Sequence, residues 1–247
     1  MDGPESTSGV EHVLSEVTLR RHITTRRAFL DVAGPFPVAG PAGWSNDWHV
    51  FRPCPFPHLH EGLDIFAPRG TPAVAVVNGV VAEVIDDDVT GLGLLIDGPR
   101  GIQYFYAHLE AFGGGVATGA RVTRGEVIGF VGNTGDAAGG STHLHFEVRP
   151  GGIPMPPKPL VDRWLRVELH RAKALLRAPR RGSVVPFWWK PLPDETFPEG
   201  AVVTPASPAG EHAPPERSSA SAAGPVGFLS ALGAMVVVGV ALRRRRF

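Results

Sequence analysis

The chain has 247 residues, 24 Lys or Arg against 24 Asp or Glu, and 43% hydrophobic residues. That balance excludes disorder along the whole chain and a polyanion binder of the strongly basic kind, and the length allows a sizeable core. The 31 Gly and 25 Pro oppose a helical bundle and favour short strands joined by turns.

The zero net charge is an average over unlike parts. Residues 1–33 carry four basic and five acidic side chains, residues 34–155 six and twelve, and residues 156–247 fourteen and seven. An acidic middle makes nucleic acid an unsuitable partner. Residues 1–33 mix these charges with Val13, Leu14, Val17 and Leu19, a spacing that predicts one amphipathic helix. Arg26 and Arg27 before Ala28, Phe29 and Leu30 have the outline of a twin-arginine signal. Asp31, Pro35, Pro37 and Pro41 interrupt the apolar stretch it needs, so no export signal is read there. Cys54 is the single cysteine and is read as a small residue in a Pro-rich loop.

From Phe36 to about Arg149 the pattern is β. Segments Ala73 to Ile85, Gly93 to Ile96, Ile102 to His108, Arg121 to Val131 and His143 to Val148 are rich in Val, Ile, Phe and Tyr, with Gly, Pro, Asn or Asp between them. Short strands and tight turns predict a mainly β, antiparallel, sandwich-type domain over residues 34–155. Beyond Pro159, Leu160, Val161, Trp164, Leu165, Leu169, Leu175 and Leu176 recur at helical spacing. They predict one amphipathic helix packed on the β domain, within a packing extension over 156–196.

Residues 197–225 hold 20 Pro, Ala, Gly or Ser in 29 positions, the composition of a disordered linker. Val226 to Leu242 carry no charge and are followed by Arg243 to Arg246. Seventeen such residues span roughly 25 Å as a helix, near the ~30 Å of a hydrocarbon core. A transmembrane helix with a basic cytoplasmic tail over 243–247 is therefore expected, with a lipid membrane as partner and the β domain on the extracytoplasmic side.

Four histidines fall in three clusters within the β region. In His60-Glu61-Gly62-Leu63-Asp64 an imidazole and a carboxylate stand at i and i+4, and in His143-Leu144-His145 two imidazoles stand at i and i+2. On strands these spacings share a face. His108 closes Tyr104-Phe105-Tyr106-Ala107-His108 and is expected on the face of Tyr104 and Tyr106. One histidine in a β protein is ordinarily a surface or hydrogen-bonded residue. Four with a carboxylate are too many for core filling, and neutral imidazole with carboxylate oxygen suits zinc, Zn2+, whose catalytic sites use three protein ligands and one open position.

The combination resembles the lysostaphin-like or LytM-type zinc metallopeptidases, peptidase family M23. The resemblance covers roughly residues 36–170: Phe36-Pro37-Val38-Ala39-Gly40-Pro41, His60 through Ile65, Gly70 through Ala75, Tyr106-Ala107-His108-Leu109, Val131 through Gly135, and His143 through Glu147. It implies a zinc-dependent endopeptidase that cleaves peptide cross-links of bacterial cell-wall peptidoglycan. Carried over position by position, it makes His60, Asp64 and His145 the zinc ligands and His108 and His143 the non-ligand catalytic pair, without saying which of the two is the base. The alternative is a non-catalytic module that binds peptidoglycan peptide or activates a hydrolase through the same groove; the intact motif counts against it.

Other features weigh less. His58, two residues before His60, is read as a rim residue. Gly62 and the nearby prolines oppose the helix that a His-Glu-x-x-His reading of His60-Glu61 would need. A lipoyl-type hairpin requires a lysine, and Lys158, Lys173 and Lys190 all follow the β region. Asp86 to Asp88 read as a solvated acidic turn, and Trp188 and Trp189 as a packing or stacking patch.

Overall fold

Alternating apolar side chains build the strands of the computed structural model, which describes residues 5–53 and 57–179. Strand β1 (Phe51–Arg52) pairs with β2 (His58–Leu59) as a separate two-stranded sheet among the described residues. The others are β3 (Leu63–Phe66), β4 (Pro72–Val74), β5 (Gly79–Asp87), β6 (Gly91–Asp97), β7 (Ile102–Phe112), β8 (Arg121–Val122), β9 (Val127–Val131) and β10 (His143–Pro150). They join in the order β3-β10-β7-β6-β5-β8, with β9 linking β4 to β7. Every pairing is antiparallel, as tight turns require.

The expectation of an antiparallel β domain holds, but the two-sheet sandwich does not: the eight strands form one branched sheet. Two expected strands are also split. Ala73 to Ile85 is broken by a bend over 76–78, and Arg121 to Val131 by the turn at Thr123 to Glu126. There Asn78 accepts from the Arg124 N–H and Glu126 from the Thr123 N–H, so side chains take up backbone donors that a continuous strand would use.

Residues 5–33 hold two helices, not one. Helix α1 (Ser8–Arg21) stops at His22, which is left-handed at φ 55°, and α2 (Thr25–Val32) restarts on Thr24, whose hydroxyl accepts from the Arg27 N–H. Val10, Val13, Leu14 and Val17 are buried, whereas Leu19, expected on the same stripe, is 76% exposed. Helix α3 (Lys158–Arg177) forms as the 3.6 periodicity predicts and buries Leu160, Val161, Trp164, Leu165, Ala172 and Leu175.

Arginines close the helix ends. Arg20 and Arg21 donate to the carbonyls of Leu176, Leu175 and Ala178 at the end of α3, and Arg171 of α3 donates to those of Val32 and Ala33 at the end of α2. These orphan carbonyls sit at the negative ends of helix dipoles, where guanidinium is favoured. Residues 5–33 and α3 thus belong to the same core as the sheet.

Two faces of the sheet divide the work. Leu144, Phe146 and Val148 of β10 and Tyr104 and Tyr106 of β7 are fully buried, with Trp164 of α3 against Tyr104 and Phe146. His143 and His145 project from the other face. Among the described residues no helix is long and apolar enough to cross a membrane. Cys54, Trp188, Trp189, the linker at 197–225, the apolar segment Val226 to Leu242 and the arginines after it lie outside the described residues.

Candidate metal centre

Antiparallel register brings the histidine clusters together. On adjacent strands β3 and β10, Asp64 is the direct partner of His145. His60 reaches them differently from the sequence expectation: it precedes β3, and the chain bends at Gly62. Only glycine fits at that bend, because a Cβ on Gly62 would lie 2.5 Å from His145 Cε1 and 2.9 Å from the Phe146 carbonyl.

Three atoms converge. His60 Nε2 lies 3.0 Å from Asp64 Oδ1 and 2.9 Å from His145 Nδ1, and His145 Nδ1 lies 3.1 Å from Asp64 Oδ1. The outer nitrogens fix what these atoms are. His60 Nδ1 faces two acceptors, the Asp47 carbonyl at 3.1 Å and Asp47 Oδ2 at 3.2 Å, so it carries the hydrogen. His145 Nε2 donates to Glu147 Oε1 at 2.9 Å. In the neutral rings, His60 Nε2 and His145 Nδ1 are therefore lone pairs aimed at a carboxylate oxygen. Three acceptors at such distances repel unless a proton or a metal cation lies between them.

The donor set fits zinc. Bonds of about 2.0–2.1 Å to nitrogen and oxygen put tetrahedral ligand atoms about 3.3–3.4 Å apart, so the triangle needs to open by only a few tenths of an ångström. Electrostatics agree, since the cradle favours positive charge. Burial alone would depress His60, but the Asp47 and Asp64 carboxylates outweigh it and raise the ring to about 9. Burial likewise opposes the shifts of its neighbours, yet the imidazoles of His145 and His60 hold the Asp64 carboxyl far below the usual range. His145 is raised in turn by Asp64 and Glu147.

The other two histidines flank this triangle, with ring centroids 5.0 Å apart. A single loop, 132–142, orients both: His108 Nδ1 donates to the Thr134 carbonyl and His143 Nδ1 to the Ser141 carbonyl, each at 2.9 Å. The Nε2 atoms are thereby left toward the groove; that of His143 is 3.7 Å from Asp64 Oδ1 and that of His108 is 3.8 Å from Asp136 Oδ1. Burial and the nearby rings of His145 and His143 push His108 down to about 4.

His108 does not share the face of Tyr104 and Tyr106, as simple alternation predicts. Between Tyr106 and Leu109 β7 takes three steps while its partner takes two, from Leu94 to Leu92. The extra residue is a bulge, His108 sits in it at φ 61°, and its ring turns from the core face to the groove face.

All five expected site residues line one open groove of about 380 Å³. His58 stands at its rim, exposed on β2, and Asp86 to Asp88 lie apart from it, with Asp87 Oδ1 accepting from the Val89 and Thr90 N–H groups. Sequence reasoning missed four charged residues. Arg52 Nη2 bridges Asp47 Oδ2 and Asp64 Oδ2, both at 2.7 Å, and Arg149 Nε bonds Glu147 Oε2 at 2.6 Å. Glu147 and Arg149 continue the two-residue period of His143 and His145, a signal that was available. Asp47 and Arg52 carry no such pattern.

Comparison with known proteins meets this geometry at the same residues: 58–157 match the family model described as peptidase family M23. That match takes in all five of the histidine and aspartate positions that meet in the groove. Over 99 residues the chain is 41% identical to the DD-carboxypeptidase/endopeptidase Mpg of Neisseria meningitidis, covering 40% of this chain and 22% of that protein. Over 150 residues it is 30% identical to the L-Ala--D-Glu endopeptidase of Bacillus subtilis, covering 57% and 46%. Over 116 residues it is 35% identical to the peptidoglycan DD-endopeptidase ShyC of Vibrio cholerae, covering 47% and 24%. The chain thus spans less than half the length of these relatives. Asp47 and Arg52 precede the M23 match yet touch His60 and Asp64 within it directly.

Proposed function

We propose that this chain is a zinc-dependent endopeptidase that cleaves peptide cross-links of bacterial cell-wall peptidoglycan. The observation that carries the reading is the triangle of His60 Nε2, Asp64 Oδ1 and His145 Nδ1 beside two histidines with Nε2 toward the groove. The peptidoglycan substrate is supported by the endopeptidase names of the relatives.

His60, Asp64 and His145 would hold the metal, with Asp47 and Glu147 fixing the two rings. Zinc held there would supply Lewis acidity, lowering the pKa of a bound water and polarising the scissile carbonyl. His108 and His143 hold and move protons: with Nδ1–H anchored on backbone carbonyls, Nε2 of one accepts the proton of the attacking water and returns it to the leaving amine. Once protonated, the other donates a hydrogen bond to the oxygen on which charge develops.

The test uses purified peptidoglycan and the zinc-loaded full chain. Asp64→Ala abolishes cross-link release together with zinc binding, whereas His108→Ala and His143→Ala retain zinc and lose roughly 10²–10⁴-fold in rate. Equal release by wild type and all three variants overturns the enzymatic reading. The sequence pattern of Val226 to Leu242 and the arginines after it supports membrane attachment with the domain outside the cytoplasm. Protection of the domain from added protease in intact spheroplasts would refute that placement.

A further inference from the structure

One cation of the groove takes no part in the chemistry above. The alternation of β10 lays His143, His145, Glu147 and Arg149 in a row along the groove, and the Arg149 side chain folds back along that row, its Nε on the Glu147 carboxylate whose other oxygen accepts from His145 Nε2. Its guanidinium sits over the Phe105 ring, Cζ 4.5 Å from the centroid. Its Nε–H is taken by Glu147 Oε2. Neither Nη nitrogen bonds another described residue, and the side chain is 26% exposed at the groove wall.

Such a group is suited to one kind of ligand. Phe105 and Glu147 fix the plane of the guanidinium, so little side-chain freedom remains to be lost when its outer edge is used. That edge presents N–H donors in the spacing a carboxylate accepts, and Glu147, the adjacent anion, is already committed to His145 and to Nε.

We propose that Arg149, seated on Phe105, is a carboxylate-binding site at one end of the groove, and that the substrate is a peptide with a free carboxylate within about three residues of the cleaved bond. The proposal rests on the peptidase reading above. The spacing follows from an extended peptide lying along β10 with its scissile bond at the His60–Asp64–His145 triangle.

The experiment uses the zinc-loaded full chain and a set of synthetic cross-linked stem peptides. One carries all its carboxylates, one is amidated only at the chain end, and one only at an internal carboxylate; the last two separate the possible sources of the anion. Wild type is expected to show a KM about tenfold lower for the carboxylate form than for one of the amidated forms. Arg149→Gln removes that preference by raising KM for the carboxylate form alone, with kcat changed equally for all three, and Arg149→Lys restores part of it. If Arg149→Gln slows every peptide by the same factor, Arg149 only braces Glu147 and the proposal is overturned. Calorimetric binding of the same peptides separates the two readings. Peptides that bind but are not cleaved refute the peptidase reading, while a carboxylate preference unchanged by Arg149→Gln refutes this one.

Discussion

Replacing Glu147 with Ala tests whether outer contacts tune the metal centre. Glu147 is buried and accepts from His145 Nε2 at 2.9 Å and from Arg149 Nε at 2.6 Å. Burial opposes its ionisation, but His145 and Arg149 outweigh burial and keep the carboxyl below its usual range, so it is charged at neutral pH. A hydrogen bond to a charged partner contributes about 1.5–3 kcal/mol, which at about 1.4 kcal/mol per decade is a 10- to 100-fold loss of zinc affinity. The same range follows from removing the outer partner of a ligating histidine. Glu147→Gln is expected to lose about tenfold, since an amide NH2 then stands where one of the two oxygens accepts from His145 or Arg149. Competition against a chromophoric zinc chelator gives the affinities, and the melting temperature of the metal-free variants reports the fold. Affinity within about twofold of wild type in a Glu147→Ala variant that melts normally would refute the reasoning.

Three further outcomes are expected. Gly62→Ala forces a Cβ to within 2.5 Å of His145 Cε1, so elemental analysis of the purified variant should find less than stoichiometric zinc. Leu14→Ala, at a position 1% exposed between α1 and the rest of the core, should lower stability by about 2–5 kcal/mol in urea unfolding followed by tryptophan fluorescence; an unchanged midpoint would mean that α1 is not part of the cooperative core. Glu168 of α3 is 1% exposed, and burial, only partly offset by Arg171 and the Gly34 N–H, raises its pKa well above 4.5. The folded chain then binds the extra proton between those two values, so wild type loses stability as pH rises from about 4.5 through the folded value. Glu168→Gln should match wild type near pH 4 and exceed it near pH 7, measured as unfolding midpoints across that range; parallel profiles would refute the assignment.

What was legible in the sequence follows from how far each signal reaches along the chain. The i, i+2 spacing of His143 and His145 needs only a regular strand, and β10 is one, so their shared face could be read directly. The His60–Asp64 pair was recognisable although the physical reason differs, because a bend at Gly62 rather than a continuous strand brings the two together. Residues whose role depends on contacts across a turn, such as Asp47 on His60 and Arg52 on Asp64, leave no periodic trace. The break between α1 and α2 turns on the left-handed backbone of a single residue, His22, which apolar spacing does not register. One branched sheet rather than two arises because β9 pairs with both β4 and β7, a choice of partner that alternation within a strand does not specify.

The bulge in β7 makes this domain sensitive to length in a way that it is not to composition. One added residue resets the alternation so that Leu109 returns to the core after His108 has turned to the groove. Conservative exchanges at Tyr104, Tyr106 or Leu109 change packing by degrees, whereas loss of Ala107 would remove the bulge and with it the left-handed backbone that aims the imidazole, and loss of His108 would remove the imidazole itself. Variation by insertion or deletion is therefore expected to be tolerated at turns such as 113–119 and purged from this segment, so residue count there is a stronger marker of an intact site than residue identity.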